Sequence, residues 1–150
     1  MDKTISDKKN KTIIDWIASL TIEQKLKLAE DHNTSSDVLA ALAEDSEVKK
    51  DGNEIIRIAI ATNPNTLPET LAELAKDKAW LVRTAVAENH NTPPEVLEEL
   101  SNDDYWLVRL AVADNPNTPL KVLKKLANDE KRVVRDAAIK WIESQGLLRH

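Results

Sequence analysis

Apolar residues return along the middle of this chain in short bursts with helical spacing. Leu81, Val82, Ala85 and Val86 form one stripe at about 100° per residue, and Val96, Leu97 and Leu100 form a second. The second stripe recurs as Thr70, Leu71 and Leu74 and again as Val122, Leu123 and Leu126. A polar phrase stands between the bursts: Ala61-Thr62-Asn63-Pro64-Asn65-Thr66, Ala87-Glu88-Asn89-His90-Asn91-Thr92 and Ala113-Asp114-Asn115-Pro116-Asn117-Thr118, each copy beginning 26 residues after the one before. A degraded copy, Ala29-Glu30-Asp31-His32-Asn33-Thr34, stands 32 residues before the first, six more than the period. The extra residues fall in Glu47 to Glu54, where Lys49-Lys50-Asp51-Gly52-Asn53 is a turn signal. Lengthening a loop there costs little, because closure entropy grows only logarithmically. The pattern predicts a repeat of two short helices. Neither exceeds about ten residues, too short to persist alone in water, so the units must stack.

The residues between the stripes predict how each helix begins and ends. Asp77 stands where it can cap the first helix of its unit. Asn89 stops that helix, since Asn tolerates the left-handed conformation that commonly ends one, and Pro64 or Pro116 follows in two other copies. Thr92-Pro93-Pro94-Glu95 reads as a capping box for the second helix, and Thr66-Leu67-Pro68-Glu69 repeats it. Residues 1–11 are polar, lysine-rich and without periodicity, and are expected to be a flexible tail. One domain is expected over 12–150, opening with capping helices over 12–30. Their apolar face is Ile13, Ile14, Trp16, Ile17 and Leu20, and Thr21 caps a helix carrying Ile22, Leu26 and Leu28. Repeats follow over about 31–130, then a longer C-terminal capping helix over about 131–145 that turns Lys140 and Glu143 outward and ends at Gly146.

Composition narrows the class. Two glycines in 150 residues, 3% aromatics and abundant Ala, Leu, Glu and Lys favour an all-α fold over sheet. With no cysteine, thiolate metal sites and cysteine nucleophiles are excluded. His32, His90 and His150 are scattered and show no metal-ligand spacing. There is no glycine-rich phosphate loop and no nucleophile with an evident base. A non-enzymatic protein without metal or cofactor is expected. No stretch has a signal-peptide core or 18 uninterrupted apolar residues, so the expectation is a cytoplasmic protein without a membrane segment. The net charge of -5 is uneven: residues 28–120 hold seven basic and eighteen acidic side chains, between mildly basic ends. An acidic middle disfavours broad contact with phosphate backbones and suits a basic protein partner.

The string from Val82 to Leu100, with Ala87-Glu88-Asn89-His90-Asn91-Thr92-Pro93-Pro94-Glu95 at its centre, resembles the leucine-rich repeat variant family, and Val108 to Leu126 matches nearly as well. The resemblance extends over roughly residues 29–140. It implies a right-handed α-solenoid, a superhelix of alternating α and 3-10 helices without strands. The family includes a member with an attached iron–sulfur domain, and a chain without cysteine does not inherit that cluster. HEAT-like solenoids are the neighbouring architecture, although their repeats are longer than 26 residues.

Three sets of residues are candidates for function. Asp77, Asp103 and Asp129 each precede Arg83, Arg109 and Arg135 by six residues, with Asp45 and Arg57 as the same pair stretched by the insertion. They form either a structural ladder, in which each Arg reaches its own Asp or that of the next repeat, or a row gripping an acidic ligand. Trp80 and Trp106 occupy equivalent positions, with Arg132 in that place in the next unit, opposite the apolar stripe. Each indole either packs across the seam or contributes, with Arg83, Arg109, Arg132 and Arg135, to an exposed partner-binding face. On the second helices the outward residues are Glu69 and Glu73, then Glu95, Glu98 and Glu99, then Lys121, Lys124 and Lys125. Glu95 with Lys121 and Glu99 with Lys125 are expected to pair across the seam, and the glutamates are alternatively an acidic strip for a basic partner. The leading expectation is a scaffold for protein–protein interaction. Nucleic-acid binding is the alternative, and needs the arginine row and the cluster Lys121, Lys124, Lys125, Lys131 and Arg132 to face one groove.

Overall fold

A computed structural model describes residues 3–146, and within them every regular element is helical. The order is α1 (Lys3–Ala18), α2 (Ile22–Glu30), α3 (Ser36–Glu44), α4 (Glu54–Thr62), α5 (Pro68–Leu74), α6 (Trp80–Glu88), α7 (Pro94–Leu100), α8 (Trp106–Asp114), α9 (Leu120–Leu126) and α10 (Arg132–Ser144). The pairs α2–α3, α4–α5, α6–α7 and α8–α9 are four successive units of a helical solenoid. α10 packs on α8 and α9 and closes the C-terminal end; α1 lies beside α3, in the layer of second helices. No helix among the described residues is long and apolar enough to cross a membrane.

Successive first helices pack directly on one another, whereas α3 and α5 only touch and α5 and α7 barely meet. Small side chains permit the close approach: Ala61, Ala87 and Ala113 are fully buried on one flank, and Ala85 and Ala111 nearly so on the other. The stack therefore curves toward its first-helix layer. Between the layers lie Val82 and Val86 against Val96, Leu97 and Leu100, with their equivalents in each unit, all buried. Each such side chain contributes about 1.5–3 kcal/mol by leaving water. Leu81 departs from the expected stripe and is 48% exposed, because it lies some 140° around the helix from Val86. Ile14 and Trp16 are likewise exposed on α1, which buries Ile17 alone.

α1 begins at Lys3, so the segment read as a tail continues a helix with its side chains almost all exposed. Propagation from the packed end at Ile13 and Ile17 adds one bond per residue and needs no new nucleus. The short second helices are α-helical, with Leu97 N–H donating to the Pro93 carbonyl and Ser101 N–H to that of Leu97. Three-residue spacing, the 3-10 geometry implied by the resemblance, is confined to their ends, as from Asp103 N–H to the Leu100 carbonyl. Thr21 does cap α2, in a capping box with Gln24, and Gly146 follows α10 at φ 67.

The polar phrase does more than end helices. Asn63, Asn89 and Asn115 follow the first helices in an extended conformation, φ near -70 and not left-handed. Their amides reach backward across the seam instead: Asn89 Nδ2 donates to the carbonyls of Ala61 at 2.7 Å and Asn63 at 3.2 Å, and Asn115 to those of Ala87 and Asn89. Asn63 does the same to Ala29 and Asp31. Each Oδ1 accepts from the amide two residues on, as from Asn91 N–H. The second Asn of the phrase adds another bond, from Asn91 to the Pro64 carbonyl. The expected Thr92–Glu95 capping box is absent, and the helix opens from Pro93 without a side-chain cap. The buried Thr92 hydroxyl donates to the Val86 carbonyl at 2.6 Å, as Thr66 does to Ile60 and Thr118 to Val112. The carbonyls left over at the ends of α2, α4 and α6 are thus served by the helix's own Thr and by the next unit's Asn.

Candidate partner-binding surface

The arginines form a ladder across the stack. Arg57, Arg83 and Arg109 each direct Nε and Nη2 to the carboxylate twenty residues on, Asp77, Asp103 and Asp129, with the Nε contact at 2.7 Å in every rung. Nη1 donates to two carbonyls of the turn before the same helix, those of Asp77 and Lys78 for Arg83. Asp77 is not a helix cap. Ala79 takes that position, and the Asp77 carboxylate accepts from the Ala79 amide while it holds Arg57. Asp45 does not pair with Arg57 either: it holds Lys25, a buried lysine in the place of the arginine, at 2.9 Å. Arg57 instead anchors the inserted loop through the Val48 and Lys50 carbonyls. A guanidinium with a bidentate carboxylate and two carbonyls has a partner on every nitrogen, so each rung is held from both sides. The carboxylate bond raises the Arg109 pKa against the opposing effect of burial.

The remaining sequence candidates separate in space. Trp80 stacks on Tyr105 of the next unit, centroids 4.5 Å apart and planes 10° from parallel, so this indole spans the seam while part of it faces solvent. Trp106 is also half-buried against the core, whereas Arg132, in the equivalent place on α10, is exposed and 3.5 Å from Asp136. Arg135 keeps the two turn carbonyls of its sibling arginines, Asp129 and Glu130, and has no carboxylate rung among the described residues. Glu69, Glu73, Glu95, Glu98 and Glu99 are exposed along the second helices. The pairing there is offset from expectation: Lys121 meets Glu98 at 3.1 Å, and Lys125 turns to Ser101 and Asn102.

An apolar row accompanies the repeated polar residues. On the outward side of the first helices, Ile55, Leu81 and Val133 are 57%, 48% and 53% exposed, and Leu107, in the same position of α8, is half-buried. Ile58 and Leu110 lie one turn further along, partly buried. At the last residue of α2, α4, α6 and α8 stand Glu30, Thr62, Glu88 and Asp114, with Lys140 at the equivalent position inside α10, all exposed. A carboxylate at a helix C-terminus opposes the macrodipole, at a cost of about 0.3–1 kcal/mol. α6 and α8 have neither an acid in the first turn nor a base in the last to offset it. Burial raises the Asp114 carboxyl above its usual range, and Lys140 opposes that shift. Two shallow depressions mark this face, about 280 Å³ beside Glu30, Ile55 and Ile58, and about 290 Å³ beside Asp114, Lys140 and Trp141. The sequence signal was present, an apolar residue about 100° from the stripe centre in four successive first helices, but it reads as the edge of a core.

Residues 80–104 and residues 106–131 each match the family Leucine rich repeat variant, two adjacent units that take in α6–α7 and α8–α9. Repeats of this family are structural scaffolds. No curated protein and no solved structure matches the chain.

Proposed function

We propose, for a chain that carries two adjacent leucine rich repeat variant units, that the stack is a non-enzymatic scaffold for a protein partner and that the partner lies on the first-helix face. The observation that carries the reading is the row Ile55, Leu81, Leu107 and Val133. A single exposed leucine is ordinary, whereas an apolar position kept toward solvent in four successive helices makes a surface. Trp80, Tyr105 and Trp106 border its N-terminal edge with the aromatic side chains that dominate interface centres. Arg83 and Arg109 act behind that face by keeping the units in register, and Arg132 and Arg135 stand at its C-terminal end. Nucleic-acid binding is the weaker reading. Its arginines are occupied by Asp103 and Asp129, and the face ends in carboxylates that repel phosphate.

Affinity capture from a native lysate tests the reading, with the wild type compared against Leu81→Asp with Leu107→Asp and against Glu95→Lys with Glu99→Lys. Partners lost with the first pair and retained with the second support the first-helix face. The reverse pattern moves the site to the acidic strip on the second helices. Salt-dependent binding of a duplex or a single strand, with no protein captured, puts the nucleic-acid reading first.

A further inference from the structure

The first-helix face is asymmetric across its width. Its apolar row lies at the second residue of α4, α6, α8 and α10, and seven residues on stands a second row, Thr62, Glu88, Asp114 and Lys140, extended by Glu30 at the end of α2, in which three of the five members are acids. Seven helical residues rise about 10.5 Å, which is the diameter of one α-helix with its side chains. The length is equally bounded. From α4 to α10 there are three seams of about 8–10 Å each, so the apolar row runs for about 24–30 Å, the length of some 16–20 helical residues. One step of the row is close to two turns of a helix that crosses at a modest tilt, so residues seven apart on such a helix meet successive units.

Charge sets the orientation. The first helices run in the same direction, and α2, α6 and α8 each place an acid, Glu30, Glu88 and Asp114, at the negative end of the helix dipole. Glu88 and Asp114 sit against their own helix dipoles, and among the described residues neither has an ion-pair partner within 4.0 Å, although Lys140 lies near enough to Asp114 to favour its charged form. Carboxylates and helix ends of the same sign along one edge, beside an unpartnered apolar row, complement a cationic flank on an apolar ridge.

We propose that the occupant of this face is a basic amphipathic helix of a partner protein, lying across the units with its apolar ridge on Ile55, Leu81, Leu107 and Val133 and its Lys or Arg flank on Glu30, Glu88 and Asp114. The proposal rests on the first-helix face being the binding face. It is tested with two synthetic helical peptides of about 20 residues, both with leucines seven apart, one carrying lysines and its twin glutamates on the flank, titrated by fluorescence anisotropy at about 0.15 M salt. The basic peptide is expected to bind at least about tenfold tighter than its twin, a difference of about 1.4 kcal/mol. Glu88→Lys with Asp114→Lys should invert that preference, and Leu81→Asp with Leu107→Asp should abolish binding of both; far-UV dichroism checks that each variant keeps its helices. Equal binding of the twins that is lost on Leu81→Asp with Leu107→Asp overturns the basic partner and leaves the face standing. Binding that survives those aspartates, or no binding of the basic peptide, overturns the proposal, while lysate capture decides the face separately.

Discussion

Replacing Asn89 by Asp exchanges one amide nitrogen for oxygen and leaves shape unchanged, so its effect isolates the bonds across the seam. In the native protein Nδ2 donates to two carbonyls of the preceding unit, and Oδ1 accepts from the Asn91 amide at 2.8 Å. The Asn63 carbonyl keeps a second donor, the Thr66 amide, but nothing else reaches the Ala61 carbonyl, which is buried. Leaving it orphaned costs about 1–3 kcal/mol, and loss of the weaker bond to Asn63 adds about 0.5–1. Asn89→Ala should therefore destabilise by about 2–4 kcal/mol. Asn89→Asp should cost more, because a buried carboxylate would face two carbonyl oxygens. Burial raises the folded-state pKa of such a carboxyl, so the excess is full at neutral pH and shrinks as pH falls and the group is protonated. The first unit supplies the control. Asp31 holds the same position, its carboxylate accepts from the Asn33 amide, and no earlier phrase lies behind it. Asp31→Asn should change stability by less than about 0.5 kcal/mol. Urea unfolding followed by circular dichroism resolves the difference: at about 2 kcal/mol per molar, 4 kcal/mol moves the midpoint by about 2 M. A weakened seam in a one-dimensional array should also split the transition in two. An Asn89→Asp midpoint equal to the wild type, or an Asp31→Asn effect as large, refutes the seam ladder.

The other expectations follow from the same contacts. Arg109→Ala leaves the buried Asp129 carboxylate unpaired and should cost about 3–5 kcal/mol in urea unfolding, whereas Arg135→Ala, which breaks no carboxylate rung, should cost well under half of that. Burial alone would raise the Asp129 carboxyl, but the Arg109 bond and the Lys131 amide outweigh it and hold it low; its contribution is whole above about pH 4 and lost as pH falls through the folded value, a loss that Arg109→Ala should remove from a stability-against-pH curve. Thr92→Val should cost about 0.5–1.5 kcal/mol by removing one of the two bonds at the Val86 carbonyl, which keeps the Asn89 amide, while Thr92→Ser keeps most of it by thermal melting. Glu88→Lys should stabilise α6 by about 0.3–1 kcal/mol while weakening the basic peptide, the opposite signs expected of a residue kept for binding.

The period, the helix pairs and the inserted loop were legible because each is a local pattern. What the polar residues do was less so, because a single chain shows neighbours in sequence and not across a seam. Thr92 was equally placed to cap three residues ahead or to reach six behind; burial on the side of Val86 decided it. Asp77 lies six before Arg83 and twenty after Arg57, and both offsets recur with the period, so the pattern alone does not choose between them. Lys25 passed unnoticed as the first rung because the insertion displaces it from the 26-residue register. Leu81 was misplaced for another reason. A first helix flanked by two neighbours needs only alanine at its sides and a narrow apolar line beneath, so a leucine about 100° away is surplus to the core.

The ends of the array give the ladder its second meaning. Every seam requires an amide on the later unit, to serve the carbonyls of the earlier one, and an aspartate after the later unit's place in the second-helix layer, to receive the earlier arginine. At the N-terminal end neither is supplied. Asp31 stands where the others have Asn, and Ser19, six residues before Lys25, stands where they have Asp and donates to the Trp16 carbonyl within its own turn. At the other end Trp141 and Glu143 occupy the two Asn positions. A second copy stacked head to tail would bring Ser19 to Arg135 and the carboxylate of Asp31 to the Ile139 and Trp141 carbonyls of α10, a lost rung and a repulsive contact in place of two bonds. The polar phrase that bonds each internal seam is thus replaced at both ends of the described stack, which disfavours a head-to-tail copy there.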